Sequence, residues 1–252
     1  MILGLEFPPI SHTIEWPDLF GSGFWAVNKV VLLMWISVAL VFGFFLLAGR
    51  RRALVPTGVQ NVAESTVDFV RNSIILQTMG PDGLGWTPFL LTLFSFVFVT
   101  NVWEIIPGAQ MPVNARIAVP ALLAVLVWVL YNFVGVKSQG FFGYLKSSVI
   151  PPGVPKAILP LVALIELVQL VIVRPFSLAV RLFANMLAGH LLLISFAVIT
   201  TALFEATVVG AVLPLGMLIA LTGFELLVAF LQAFIFAILT AVYIGGSMHP
   251  EH

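Results

Sequence analysis

Residues 156–204 read KAILPLVALIELVQLVIVRPFSLAVRLFANMLAGHLLLISFAVITTALF, an almost unbroken apolar stretch. The stretch is nearly fifty residues long, whereas a helix needs only about 20 residues to cross the hydrocarbon core of a bilayer. Its length therefore predicts a helix that is strongly tilted, kinked or laid partly along the membrane. The stretch also contains arginine, asparagine and histidine, which lipid cannot solvate.

The composition of the whole chain indicates a membrane protein. Of its 252 residues, 61% are hydrophobic and only 9% are charged, with a mean hydropathy of +1.13. A soluble domain is roughly 25% charged, so we predict one integral membrane domain over residues 1–252, with the lipid bilayer as its solvent. The net charge of zero indicates no nucleic-acid partner. The lack of cysteine excludes disulfides, thiol catalysis and cysteine-ligated metals.

The apolar runs predict an all-α membrane protein with five crossing helices. Its last two helices are expected to form a long tilted hairpin, with Pro160, Pro175 and Pro214 as candidate kinks. An amphipathic helix at the membrane interface and an interfacial loop at residues 137–156 are also predicted. The expected boundaries are an outer N-terminal segment at 1–27, a first span at 28–49, the interfacial helix at 57–79, second and third spans at 86–136, and the hairpin at 156–246.

The basic residues predict the orientation of the spans. Three arginines, Arg50 to Arg52, follow the first span directly, and cytoplasmic loops carry an excess of Lys and Arg. With five crossings, Lys137, Lys146 and Lys156 fall on the same side as these arginines. We therefore expect the N-terminus outside and the C-terminus in the cytoplasm.

Ionisable residues at membrane depth are the candidate functional residues. A central Arg, Lys or Asp costs on the order of 3 kcal/mol, and such residues usually face a pathway or a partner. The predicted spans contain six: Glu104, Glu166, Arg174, Arg181, His190 and Glu225.

Helical periodicity sorts these residues into separate faces. Arg181 and Asn185 share one stripe with alanines and serines, and small residues let another helix approach closely. His190 points to the opposite side of a straight helix, because it lies nine residues after Arg181. Glu225 and Gln232 share a face of the final helix, which suits a polar path between helices.

The chemistry of these residues favours a proton path over a metal site. Arg stays protonated at accessible pH, so it can hold a carboxylate but cannot relay protons. His and a buried Glu titrate closer to neutral pH. A histidine and a glutamate lining a wet cavity, with one fixed arginine beyond them, form a path that ends at an electrostatic barrier. No cofactor is expected.

Three of the residues have structural alternatives. Glu166 alone can be a satisfied buried group, and Glu104 near Pro107 suits an interfacial position at the end of its span. Arg174 precedes Pro175, whose missing N–H frees a carbonyl about one turn earlier, so Arg174 can instead serve that local backbone. Arg181 has no carboxylate three or four residues away, so its partner is expected elsewhere, including on another chain.

Three motifs resemble the signature of subunit a of F-type ATP synthases. They are RPFSLAVRLFANMLAGH at Arg174–His190, LQAFIFAILTAVY at Leu231–Tyr243, and TNVWEIIP at Thr100–Pro107, the last of which contains Asn101 and Glu104. The first and last of these motifs are very specific together, and the matches extend from the second span to the C-terminus. The five-crossing topology agrees with this family.

The resemblance implies a stator subunit without nucleotide chemistry of its own. It implies a rotating c-ring as partner, peripheral-stalk subunits of the b and delta type, and two offset aqueous half-channels that lead protons to carboxylates on the c subunits. The essential arginine corresponds to Arg181, which would meet the ionised carboxylate and separate the half-channels. The outer half-channel residues correspond to Asn185, His190, Glu225 and Gln232.

Two departures from the family pattern concern the path residues. Some members have an acid at the position of His190 and a histidine at the position of Glu225, so the pair looks exchanged here. Glu166 resembles an acid near the inner half-channel, but its spacing to Arg174 is one residue longer than the resemblance implies.

Two other function classes remain possible from the sequence. A self-contained secondary transporter would show internal repeats and a substrate pocket at midplane, and no clear repeat is visible. A structural membrane scaffold would hold charges that only pair with one another. Protons are favoured over sodium as the ion, and a bacterial plasma membrane over an organellar inner membrane with the same topology.

Overall fold

The computed structural model describes residues 19–21, 26–50, 53–106, 109, 111, 113–150, 154–155 and 157–248. Most of the predicted outer segment at 1–27 lies outside these residues. So do Arg51, Arg52, Pro107 and Lys156, together with the last four residues of the chain.

The described residues form long helices, as the apolar runs predict. Among the described residues, eight α-helices of nine residues or more organise the chain: α1 (Lys29–Arg50), α2 (Val59–Val70), α3 (Thr87–Val102), α4 (Ala118–Gln139), α5 (Phe141–Val149), α6 (Leu159–Val168), α7 (Arg174–Ala206) and α8 (Val208–Met248). Within the described ranges, five helical stretches are long and apolar enough to cross a membrane. The prediction of an all-α membrane protein with five such helices is confirmed.

Helix α2 begins the segment predicted to lie at the interface. It follows Gly58, whose φ of 57° suits a residue without a side chain, and continues through a π-helical turn at Arg71–Ile75. Val70 at the end of α2 and Ile74 in the π-helical turn are fully buried, whereas Glu64 of α2 is exposed. This one-sided burial is the pattern of an amphipathic helix.

The expected loop at 137–156 was wrong for most of its length, because α5 occupies Phe141–Val149. Gly140 ends α4 and precedes α5 with a φ of 75°, so a sharp turn separates the two helices. The ring of Tyr144 packs directly on Gly135, and its hydroxyl donates to Oδ1 of Asn132 at 3.0 Å. Tyr144 therefore supplies the burial of this nine-residue helix.

The core lies where α3, α4, α7 and α8 meet. Five phenylalanine rings pack together on one side of it, with centroids 5.6–6.3 Å apart for the contacting pairs, a separation typical of aromatic pairs. They are Phe69, Phe94, Phe98, Phe230 and Phe234. Large apolar side chains also cover the outside of the helices, as expected for a protein surrounded by lipid.

Contacts between chain segments define the two ends of the bundle. At the first end, Nζ of Lys29 donates to the carbonyl of Ala109 at 2.7 Å. At the second end, Nε2 of Gln139 donates to the carbonyl of Ser247 at 2.9 Å, which holds the end of α8 beside the end of α4. Gly245 lies against Thr78 at this same end.

The predicted kink sites differ in position. Pro160 lies in the first turn of α6, where proline is well tolerated, whereas Pro175 directly follows the π-helical turn that leads into α7. Pro214 lies inside α8. Between α6 and α7 the chain forms a π-helical turn at Gln169–Val173, so the long apolar stretch is one continuous helical path rather than two separate helices.

Gly135 tests the packing of α5 on α4. In Gly135→Ala the new methyl group would overlap the Tyr144 ring, and overpacking costs about 1–3 kcal/mol, more than the roughly 1 kcal/mol that alanine gains in a helix. We expect a lower midpoint temperature of unfolding in detergent. Gly43→Ala is the control, because no described atom lies within 4 Å of the added carbon. Equal midpoints for the two variants would contradict this packing.

Candidate functional site

One face of α7 is exposed and carries small or polar residues. Ala184, Asn185 and Ala188 line this face, and Arg181 is half-buried on it. The opposite face packs into the protein through Leu178, Ala179, Leu182, Met186, Gly189 and His190. The structure thus separates Arg181 and Asn185 from His190 in the way that helical periodicity predicts.

Arg181 forms no hydrogen bond or ion pair with another residue among those that the structure describes. It lies near the middle of the 47-residue helical stretch Leu159–Glu205. A guanidinium at membrane depth keeps its charge and needs an acceptor or water. Its position on an otherwise small-residue face leaves room for that acceptor to come from outside the described chain.

Asn185 connects the exposed face of α7 to α8. Its Nδ2 donates to Oε1 of Gln232 at 2.8 Å. Gln232 is buried, and its own Nε2 has no hydrogen-bonding partner among the described residues. The two amides therefore form a polar bridge between the helices, with one donor still available.

Glu225 lies against α7 at Gly189. A Cβ atom placed on Gly189 would be 2.5 Å from Oε2 of Glu225 and 2.6 Å from its carboxyl carbon, so only glycine leaves room for the carboxylate. His190, the next residue of α7, is also buried. Within the described chain, Oε2 of Glu225 has no hydrogen-bonding partner. The structure thus brings Glu225 to the residue next to His190.

A second polar cluster lies at the first end of the bundle. Nδ2 of Asn114 donates to Oδ1 of Asn101 at 2.6 Å and to Oγ1 of Thr100 at 2.9 Å, and all three residues are buried. The backbone N–H of Glu104 donates to the carbonyl of Asn101 at 3.2 Å. The sequence pointed to Asn101 and Glu104 but not to Thr100 or Asn114.

Glu104 lies just beyond the end of α3, in a turn rather than in the spanning helix. Burial raises the pKa of Glu104 to about 8, and the nearby carboxylate of Glu225 adds to the rise. Its Oε1 has no hydrogen-bonding partner among the described residues. Glu104 is therefore close enough to Glu225 for the two carboxylates to influence each other's charge.

Glu166 lies apart from the other candidate residues. It is half-buried on α6 and makes no hydrogen bond or ion pair within the described part of the chain. Fifteen residues separate it from Arg181, about 22 Å along a helix axis. It lies before Arg181 in the long helical path, whereas His190 lies after it.

Arg174 does not serve the free carbonyl that Pro175 suggested. The guanidinium carbon of Arg174 lies 5.3 Å from the centre of the Tyr243 ring, a cation–π contact. The free carbonyl belongs to Leu170, and it accepts instead from Nε1 of Trp128 and the hydroxyl of Tyr131. The alternative in which Arg174 serves the local backbone was therefore wrong, because Trp128 and Tyr131 donate to this carbonyl instead.

Together the helices and buried charges define a multi-helix membrane protein with ionisable groups held at membrane depth. Residues 31–245 match the family model described as ATP synthase A chain. The chain is 46% identical to ATP synthase subunit a of Frankia alni over 255 residues, 99% of this chain and 88% of the relative.

Two further relatives give the same result. The chain is 40% identical to ATP synthase subunit a of Streptomyces lividans, over 99% of this chain and 90% of the relative. It is 46% identical to that of a Chelativorans species, over 88% of each chain. The chain belongs to the ATP synthase A chain family, whose function is ATP synthesis and proton transport.

The raised pKa of Glu104 predicts a pH-dependent stability. Between its ordinary value of 4.5 and about 8, the folded chain binds the proton of Glu104 and the unfolded chain does not. The free energy of unfolding therefore falls as pH rises through that window, because the folded chain must then bury an ionised Glu104. Glu104→Gln removes it, so we expect the variant to gain stability over the parent chain, on the order of a few kcal/mol by about pH 8.5 and almost none near pH 4.5.

Thermal unfolding in one detergent across this pH range measures the effect. Glu64→Gln is the matched control, because Glu64 is exposed. Parallel pH profiles for Glu104→Gln and the parent chain would contradict the assignment.

Proposed function

We propose that this chain is the proton-translocating stator subunit of the membrane sector of an ATP synthase, with Arg181 between two half-channels. The observation that carries the proposal is Arg181 itself. It is a permanent charge at membrane depth on an exposed face of small residues, without a partner among the described residues. A moving ring of c subunits, each with a carboxylate, would supply that partner one subunit at a time.

Arg181 acts by charge rather than by proton transfer. Its guanidinium attracts an ionised carboxylate and stays protonated, so no proton passes through it. In a low-dielectric site this attraction is stronger than in water. A carboxylate that reaches Arg181 has therefore released its proton to one side, and it takes up the next proton only after it has moved past the arginine.

The outer half-channel follows the polar residues between α7 and α8. Protons enter at Asn101, Glu104 and Asn114, pass Glu225 beside His190, and reach Gln232 and Asn185 next to the face of Arg181. The unsatisfied oxygens and amides along this line support a hydrated route, because buried polar atoms normally bind protein or water. Glu225 and His190 are the ionisable groups in the middle of this route, and both are buried.

The inner half-channel lies on the other side of Arg181, along α6. Glu166 is the acid on this side, consistent with its place before Arg181 in the helical path. The two half-channels are then offset along one long helix, and a carboxylate carried by the rotor connects them only by moving around the ring.

The second end of the bundle faces the cytoplasm in this proposal. Arg50 and Lys137 lie at the ends of α1 and α4 there, in line with the excess of basic residues on the cytoplasmic side. The N-terminus is then outside, in a bacterial plasma membrane. The chain has no catalytic role of its own. Its partners are the c-ring and the peripheral-stalk subunits of the complex.

Replacement of Arg181 tests the proposal. In Arg181→Ala, we expect proton-driven ATP synthesis by reconstituted vesicles to fall to background, because no charge separates the half-channels, while the complex still assembles. Ala184→Ser, on the same exposed face, is the control and should keep near-normal synthesis. Coupled synthesis by Arg181→Ala at the normal rate would refute this mechanism, and a scaffold whose charges only pair internally would account for that result.

Gly189 tests the outer half-channel without removing an ionisable group. In Gly189→Ala the methyl group takes the place of the Glu225 carboxylate, so we expect proton uptake from the outer side to slow at least tenfold. Gly223→Ala, with open space around the added carbon, is the control. Proton flux measured with a pH-sensitive dye in vesicles distinguishes them, and equal flux would remove Glu225 from the path.

A further inference from the structure

Helices α6 and α7 are joined by a π-helical turn, Gln169–Val173, in which the N–H of Arg174 donates to the carbonyl of Gln169. Such a turn holds one residue more than an α-helical turn, and π-turns are frequent at functional sites. In a regular α-helix the Arg174 N–H would instead reach Leu170. The following residue, Pro175, has no N–H to offer. The Leu170 carbonyl is therefore left without a donor from its own helix.

Two side chains of α4 satisfy this carbonyl. Nε1 of Trp128 donates to it at 2.9 Å, and the hydroxyl of Tyr131 donates at 3.0 Å. Tyr131 is fully buried and Leu170 is nearly so. A buried carbonyl without a donor costs about 1–3 kcal/mol. Because an α-helical turn would supply its own donor to Leu170, these two bonds stabilise the π-helical form specifically.

The same residues tie the turn to α8. The rings of Tyr131 and Tyr243 lie 5.5 Å apart, and Arg174 packs over the Tyr243 ring at 5.3 Å. We call Trp128, Tyr131 and Tyr243 the aromatic clamp. It joins α4, α8 and the start of α7 at one point, about two helical turns before Arg181.

We propose that Trp128 and Tyr131 are positioning residues that hold the π-turn and thereby set the direction of Arg181 relative to Glu166. If the turn relaxed into a regular α-helix, the chain on one side of it would shift by one residue. That shift is a rotation of about 100° and a translation of about 1.5 Å. When α7 makes this rotation, Arg181 turns away from the exposed side of the helix bundle. The inference rests on the proposed function, since only there does the direction of Arg181 matter.

The double variant Trp128→Phe/Tyr131→Phe tests the clamp, because it keeps an aromatic ring at both positions and removes both donors. In the assembled, reconstituted complex we expect proton-driven ATP synthesis to fall about five- to tenfold. Tyr144→Phe is the matched control. It removes a tyrosine hydroxyl bond of the same length, to Asn132, without touching the π-turn, and it should retain near-normal synthesis.

Pro175→Ala distinguishes positioning from packing. In an α-helical turn the ring of Pro175 would clash with the carbonyl of Val171, so Pro175 opposes relaxation of the π-turn and alanine removes this barrier. Added to the double variant, Pro175→Ala should therefore lower synthesis a further several-fold. A role of the rings in packing alone predicts no additional loss, because the alanine does not change how the rings pack.

A cysteine reporter measures the rotation itself. The chain has no cysteine, so Ala179→Cys, on the buried face of α7, gives a single site for maleimide. In the full complex the double variant should raise the labelling rate several-fold, and Tyr144→Phe should not. Normal synthesis with unchanged labelling would overturn the inference, and so would a loss of synthesis without increased labelling and without a further loss from Pro175→Ala.

A different result would contradict the proposed function, namely coupled ATP synthesis by the Arg181→Ala variant. In that case maleimide labelling of the Ala179→Cys reporter would still show whether the aromatic clamp holds the π-turn.

Discussion

The approach of α7 to α8 at Gly189 leaves room for the carboxylate of Glu225 and for little else. A carboxylate inside a bilayer must be enclosed by protein or water, because lipid offers it no hydrogen bond. At this point the two longest helices therefore meet around a polar group, although both also contribute to the apolar core, for example through Leu182 and Ala233. The Asn185–Gln232 hydrogen bond extends the same polar line toward Arg181. The neighbouring helices then enclose this line with aromatic and aliphatic side chains.

Much of the fold follows from the lengths of the apolar runs in the sequence alone. An apolar run of about 20 residues has few alternatives to a spanning helix, so the five long helices were predictable. Helix α5 was missed because its nine residues are too few to show a period, and its stability comes from Tyr144 packing on Gly135. The π-turn at Gln169–Val173 was missed for a related reason. A single additional residue leaves no mark in a hydrophobic pattern that is apolar on nearly all sides.

The candidate site residues also divide into those that the sequence predicts and those that only the structure reveals. The 3.6-residue period of an α-helix is regular enough to place Arg181 and His190 on opposite faces from the sequence alone. Contacts between helices are not visible in that period, so Gly189, Asn114 and the donors to Leu170 appeared only in the structure. Two signals were nonetheless present in the sequence. A glycine directly precedes the buried histidine, and Trp128 and Tyr131 stand three residues apart, on one face of their helix.

The alanines beside Arg181 have a mechanical consequence. Large side chains on two facing helices interdigitate, and each knob must be lifted from its hole before the helices slide. Ala184 and Ala188 give this face a shallow relief instead. In the proposed function, a rotor moving along this face would meet little steric friction. Charge would then fix the angular positions at which the rotor pauses, and the depth of these energy minima would respond to salt and dielectric rather than to side-chain shape.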